Sequence, residues 1–155
     1  MKLASGIAPV TKLLKNGVCV GLGTDGASSN NNLDMLEEIR LAALLHKVDT
    51  LDPLAIPAME ALKMGTEYGA KAVGIENLGR IEAGSLADII LFNMQGAAWC
   101  PKFDLVSLLV YAANSSSVDT VMVDGKILME KGTLLTLDEE RILFEANRCA
   151  MRISQ

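Results

Sequence analysis

The run Val18-Cys19-Val20-Gly21-Leu22-Gly23 contains no polar side chain. Successive residues of a strand point to opposite faces, so such a strand has no face suited to water. It needs cover on both sides, which is the situation of a strand in a parallel sheet flanked by helices. The residues on either side agree. Ile7 to Lys15 reads as a short helix closed by Asn16-Gly17, and a polar loop over Thr24–Asn32 follows the apolar run. Asn32 is the expected N-cap of a helix over Leu33–Lys47, with Asp34 in its first turn. Leu36, Ile39, Ala43 and Leu44 form its apolar face, leaving Glu37, Glu38 and Arg40 to solvent. Asp52-Pro53 predicts a further helix that ends at Gly65, and Thr66–Val73 another that ends at Gly74.

Beyond Gly74 the pattern shortens. Arg80-Ile81-Glu82 and Ala87–Phe92 read as strands, and Leu105–Ala112 as a short helix. Val118–Val123 and Lys126–Met129 flank Asp124-Gly125, a pair suited to a two-residue hairpin because both turn positions need positive φ. Thr136-Leu137-Asp138-Glu139 has the form of a capping box, opening a helix with Ile142, Ala146, Cys149 and Ile153 on one face. The chain therefore divides near 74–79 into residues 1–74 and residues 75–155. The expected class is α/β.

Several function classes are disfavoured. A net charge of −5 without any basic run argues against a grip on nucleic acid or anionic lipid. No apolar run reaches the roughly 18–20 residues that span a bilayer, and MKLASGIAPV has no long apolar core of the signal-peptide kind. Cys19, Cys100 and Cys149 show neither metal nor redox spacing. A cytoplasmic location is the expectation.

Asp25 is the residue most suited to chemistry. It lies just past the C-terminal end of the apolar run, the edge of an α/β layer where loops present side chains over a rigid floor. A carboxylate there can ligate a metal or serve as a general base. It can equally cap its own loop, as Asp-Gly pairs do, and both readings stand at this point. Ser28, Ser29, Asn30 and Asn31 could hydrogen-bond a ligand or simply form the loop and the next helix cap. His46, the only histidine, reads as a structural residue near a helix end. Met35, Met59, Met64 and Met94 read as core filler, and Cys19 as a buried, inert thiol.

The stretch KLASGIAPVTKLLKNGVCVGLGTDGASSNNNLDMLEEIRLAALLHK resembles the amidohydrolase superfamily. Within it, the similarity is greatest to 5-methylthioadenosine/S-adenosylhomocysteine deaminases and related chlorohydrolases. NLGRIEAGSLADIILFN is similar to the entry of their small flanking β-domain, and SLLVYAANSSSVDTVMVDGKILMEKG to its end. Ser85 and Asn93 stand where family members often have Lys and Asp. The resemblance implies a (β/α)8 barrel holding a divalent metal, commonly zinc, and a purine-nucleoside-like or triazine-like substrate. It implies that Asp25, after strand eight, ligates the metal and helps a bound water attack the ring carbon. It also implies that Ser29 lies near that aspartate and the substrate.

The resemblance sets a limit as well. Family members take their other ligands from an H-x-H pair and a histidine on earlier strands, and a catalytic glutamate and another histidine also come from the barrel. None of these segments occurs here. The expectation is thus a C-terminal fragment: strand eight of the barrel with its flanking helices, part of the small β-domain, and a C-terminal helix. A catalytic zinc needs about three protein ligands and a water. The chain alone is therefore expected to hold no metal and to deaminate nothing, and to cover its open edges by forming a homo-oligomer. The alternative is a non-catalytic, stand-alone domain acting as a subunit or scaffold. A third possibility is complementation by another chain that supplies the missing strands.

Overall fold

The computed structural model describes residues 2–153. The first half is helical: α1 (Val10–Lys15), α2 (Ala27–Asn30), α3 (Met35–Thr50), α4 (Ala58–Met64) and α5 (Glu67–Ala72). The second half holds β1 (Ile89–Phe92), α6 (Leu105–Tyr111), β2 (Val118–Val123), β3 (Lys126–Glu130), β4 (Thr133–Leu134) and α7 (Glu139–Ile153). The four strands make one antiparallel sheet in the order β1-β2-β3-β4.

The main core is built where α1, α3, α4 and α6 meet. Val10, Ile39, Ala42, Ala43, Ile56, Ala61, Met64 and Val110 are its buried members, and Val20 and Leu22 pack against it. Small side chains allow close approach there: a Cβ at Gly21 would come within 3.0 Å of the Gly69 Cα. Helix α6 comes from the second half of the sequence yet packs on α3 and α4. Arg40 ties it down. Its Nε donates to the Val110 carbonyl at 3.1 Å, and its Nη2 donates to that of Ala113. Arg40 therefore faces protein, not solvent as expected, and so does Glu38, which accepts from the Asn30 side chain. Helical periodicity alone cannot show that α6 returns to this side.

The expected strand over Val18–Gly23 is not a strand here. Among the described residues it pairs with none, because a strand exists only through a neighbour. Two backbone bonds fix its ends: Val18 N–H donates to the Leu13 carbonyl at 3.0 Å, and Leu22 N–H to that of Met64 at 3.0 Å. Val18, at its start, remains 46% exposed. Cys19 is half-buried, with Sγ 3.5 Å from the Tyr68 carbonyl.

Several boundaries moved for local reasons. Asp52 makes a turn by accepting from Leu54 N–H at 2.9 Å, and α4 starts only after Pro57. Residues 80–82 form no strand; Arg80 pairs with Glu82 at 2.9 Å. Met64 is fully buried as expected, but Met59 is half exposed. The hairpin forms as expected, with φ of 49° at Asp124 and 74° at Gly125. Helix α7 is capped by Asp138, whose side chain accepts from Arg141 N–H at 3.0 Å, in place of a box opened by Thr136. None of α7's residues is buried.

Candidate active-site loop

The loop between the apolar run and α3 carries Asp25. Its φ is 58°, a left-handed conformation that aspartate adopts more readily than most residues. The sharp turn aims the carboxylate back over the first turn of α2. There Oδ1 accepts from Gly26 N–H at 2.6 Å and Oδ2 accepts from the Ser29 hydroxyl at 2.6 Å. The Ser29 hydroxyl is also 3.0 Å from the Gly26 carbonyl, but it has one proton and the charged acceptor takes it. These donors, Ser29 first and Gly26 second, hold the Asp25 carboxyl below its ordinary value, against a small opposing effect of burial. The group is ionised and solvent-facing at neutral pH. Each oxygen keeps acceptor capacity, which suits a cation better than it suits storing a proton.

Asn30 locks this arrangement. Its Nδ2 donates to the Thr24 carbonyl at 2.9 Å and to Glu38 Oε1 at 2.8 Å, with the Asn32 carbonyl at 3.3 Å. One side chain thus joins the residue before Asp25 to the body of α3. The sequence left Asn30 between ligand contact and loop structure; here its amide is engaged within the loop. Asn31, at φ 64°, ends α2. The N-cap of α3 is Asp34, which accepts from Leu36 N–H at 2.9 Å and from Glu37 N–H at 3.3 Å; Asn32 instead donates to Glu37. An aspartate two residues nearer the helix displaces the expected asparagine cap.

The structure brings Asp25 and Ser29 together and keeps His46 away from both. His46 lies eleven residues along α3 from Met35, about 16 Å of helix. It is buried, and burial pushes its imidazole below the ordinary value, partly opposed by Asp49. Among the described residues no three His, Cys, Asp or Glu side chains are grouped so as to hold a metal ion. Asp25 supplies one carboxylate where a catalytic zinc needs about three protein ligands. This donor set does not fit the metal by itself. Beside the loop, residues 32–36 face Ile90, Ser115 and Val118 across an open groove of about 430 Å³. Among the described residues no helix is long and apolar enough to cross a membrane.

Residues 1–128 match the model of the amidohydrolase family. A 5-methylthioadenosine/S-adenosylhomocysteine deaminase of Pelotomaculum thermopropionicum is 58% identical over 153 residues, which are 99% of this chain and 35% of that protein. The crystal structure of an adenosine deaminase from Xanthomonas campestris with bound zinc superposes with a TM-score of 0.96 at 35% identity, covering 99% of this chain and 35% of that one. An atrazine chlorohydrolase from Arthrobacter aurescens, complexed with zinc, superposes with a TM-score of 0.85 at 33% identity, over 92% of this chain and 32% of that one. The chain spans about a third of the length of the curated relatives it matches.

Proposed function

Since this chain belongs to the amidohydrolase family, we propose that it forms the C-terminal third of a hydrolytic deaminase acting on purine nucleosides of the 5-methylthioadenosine or S-adenosylhomocysteine kind. Ring systems such as triazines are the wider substrate class. The observation that carries this reading is the 58% identity to such a deaminase over nearly the whole chain. The bonded pair of Asp25 and Ser29 supports it from the side of geometry. In the reaction, water adds to the ring carbon bearing the amino group, the C–N bond breaks, and ammonia leaves. Residues 1–74 form the end of a (β/α)8 barrel in this reading, with Val18–Gly23 as its eighth strand. Residues 75–155 form part of the flanking β-domain and a C-terminal helix.

Asp25 acts as one carboxylate ligand of a divalent metal, zinc by the chemistry of the relatives. Ser29 orients that carboxylate and lies beside the substrate. The remaining ligands come from polypeptide corresponding to the other two-thirds of the relatives. The chain alone neither holds the metal nor turns over substrate. Its setting is the cytoplasm, without nucleic acid or membrane partners, and on its own it self-associates through its open faces.

The test compares the complete polypeptide with this chain alone, using 5-methylthioadenosine and S-adenosylhomocysteine. Ammonia release and one equivalent of zinc are expected only from the complete form. Asp25→Asn in the complete form should lower kcat by about a hundredfold to a thousandfold, the loss of one strong electrostatic contact to the transition state, and reduce zinc content. Near wild-type turnover by Asp25→Asn, or turnover by this chain alone, would overturn the reading.

A further inference from the structure

The Asp25 carboxylate is aimed only as well as the peptide before it is held. The Thr24 carbonyl and the Asp25 nitrogen lie in one rigid plane, so fixing that carbonyl fixes the plane from which the φ of Asp25 is turned. That φ is 58°, a region that an L residue keeps only when its surroundings hold it there. The bonds of the carboxylate itself, from Gly26 N–H and the Ser29 hydroxyl, run forward to α2. They tie the side chain to that turn but do not hold the Thr24 peptide.

Asn30 holds it. Its amide nitrogen has two protons, and its two nearest acceptors are the Thr24 carbonyl at 2.9 Å and Glu38 Oε1 at 2.8 Å. A carboxylate is the stronger acceptor, so Glu38 orients the amide and leaves the second proton for Thr24. Glu38 is itself well supported. It lies in α3 next to Ile39, a buried member of the main core, and Arg40 two residues on is bonded to the Val110 and Ala113 carbonyls. The core thus reaches Asp25 along one line: α3, Glu38, Asn30 and the Thr24 carbonyl.

We infer that Asn30, oriented by Glu38, is a positioning residue: it sets the direction of the Asp25 carboxylate and touches no substrate. Both of its amide protons are engaged within the protein, which leaves no donor on that nitrogen for a ligand. The effect on turnover rests on the proposed function; the hold on Asp25 does not.

The experiment makes Asn30→Asp in the complete polypeptide, which keeps the shape and removes both donors. Hydrogen exchange resolved to single amides follows Gly26 N–H, the donor to Asp25 Oδ1. It should speed up by about tenfold or more, as it does when a local bond opens more often. With 5-methylthioadenosine, kcat should fall by about tenfold to a hundredfold, the effect of a displacement of up to about 1 Å, while KM stays unchanged. Asn30→Asp combined with Glu38→Gln separates aim from stability. The introduced amide can donate to the introduced carboxylate and restore the tie to α3, but no donor returns to the Thr24 carbonyl. The urea midpoint should recover, while kcat and the Gly26 exchange should not. If Asn30→Asp does not fold, Asn30→Gln, which moves the amide by one methylene, is read in the same two ways. Unchanged exchange at Gly26, a rise in KM at constant kcat, or a double variant that regains kcat together with stability overturns the inference. A wild-type complete polypeptide without turnover overturns the proposed function, and the Gly26 exchange alone then decides this inference.

Discussion

Arg40→Met tests how firmly the two halves of the chain are joined. The Arg40 guanidinium bridges from α3 to the carbonyls of Val110, in the last turn of α6, and Ala113, just past that helix, and both of those residues are 0% exposed. A hydrogen bond from a charged donor contributes about 1.5–3 kcal/mol, and a cation at a helix C-terminus adds to it. Methionine keeps most of the apolar stem but leaves two buried carbonyls without these donors. Against that, the unfolded guanidinium is well hydrated. The net loss expected is about 3 kcal/mol, or about 6–12 °C in Tm for a chain of this length. Urea unfolding followed by circular dichroism, at fixed protein concentration, measures it. The transition should stay single, because α3, α4 and α6 share one core. Arg40→Lys, a point charge that reaches one carbonyl, should lose about half as much. A loss under about 0.5 kcal/mol, within the scatter of ordinary surface substitutions, would refute the view that this side chain binds the halves together.

Three further outcomes follow from single sites. Gly79→Ala should destabilise more than Gly84→Ala, by about 1–3 kcal/mol: both glycines have φ above 80°, but a Cβ at Gly79 meets the Thr66 backbone at 2.6 Å while one at Gly84 meets nothing within 4 Å; equal urea midpoints would contradict this. His46 has its folded value below the ordinary 6.5 because burial disfavours the cation, so the unfolded chain binds the proton more readily. Its contribution to stability is complete above 6.5 and is lost as pH falls through the lower folded value. Urea midpoints should therefore drop as pH falls below the ordinary 6.5, and His46→Gln should flatten that drop. Ser29→Ala removes the main group that lowers the Asp25 carboxyl. Carbon-13 titration of that carboxyl should move up toward its ordinary value, and an unchanged titration would show that the bond to Ser29 is not formed in solution.

Much of the second half was legible because its signals are local. Asp124-Gly125 demands two positive φ values, so the hairpin of β2 and β3 follows from two residues. The same holds for the stop of α5 before Gly74, at φ 75°. The candidate site was half legible. Asp25 and Ser29 were picked out by placement and resemblance, but the hold of Asn30 on Thr24 and Glu38 spans eight residues and depends on how α3 meets the loop.

By itself the sequence determined the hairpin turn, most of the helices and the family, and it singled out Asp25 as a candidate. These depend on φ preferences, apolar spacing and short motifs, which act within a few residues. Tertiary structure decided that α6 returns to α3, that Arg40 and Glu38 face protein, and that Val18–Gly23 pairs with no strand among the described residues. Those outcomes depend on which partner is within reach in space. An apolar run records its need for cover, and only a neighbour can meet it.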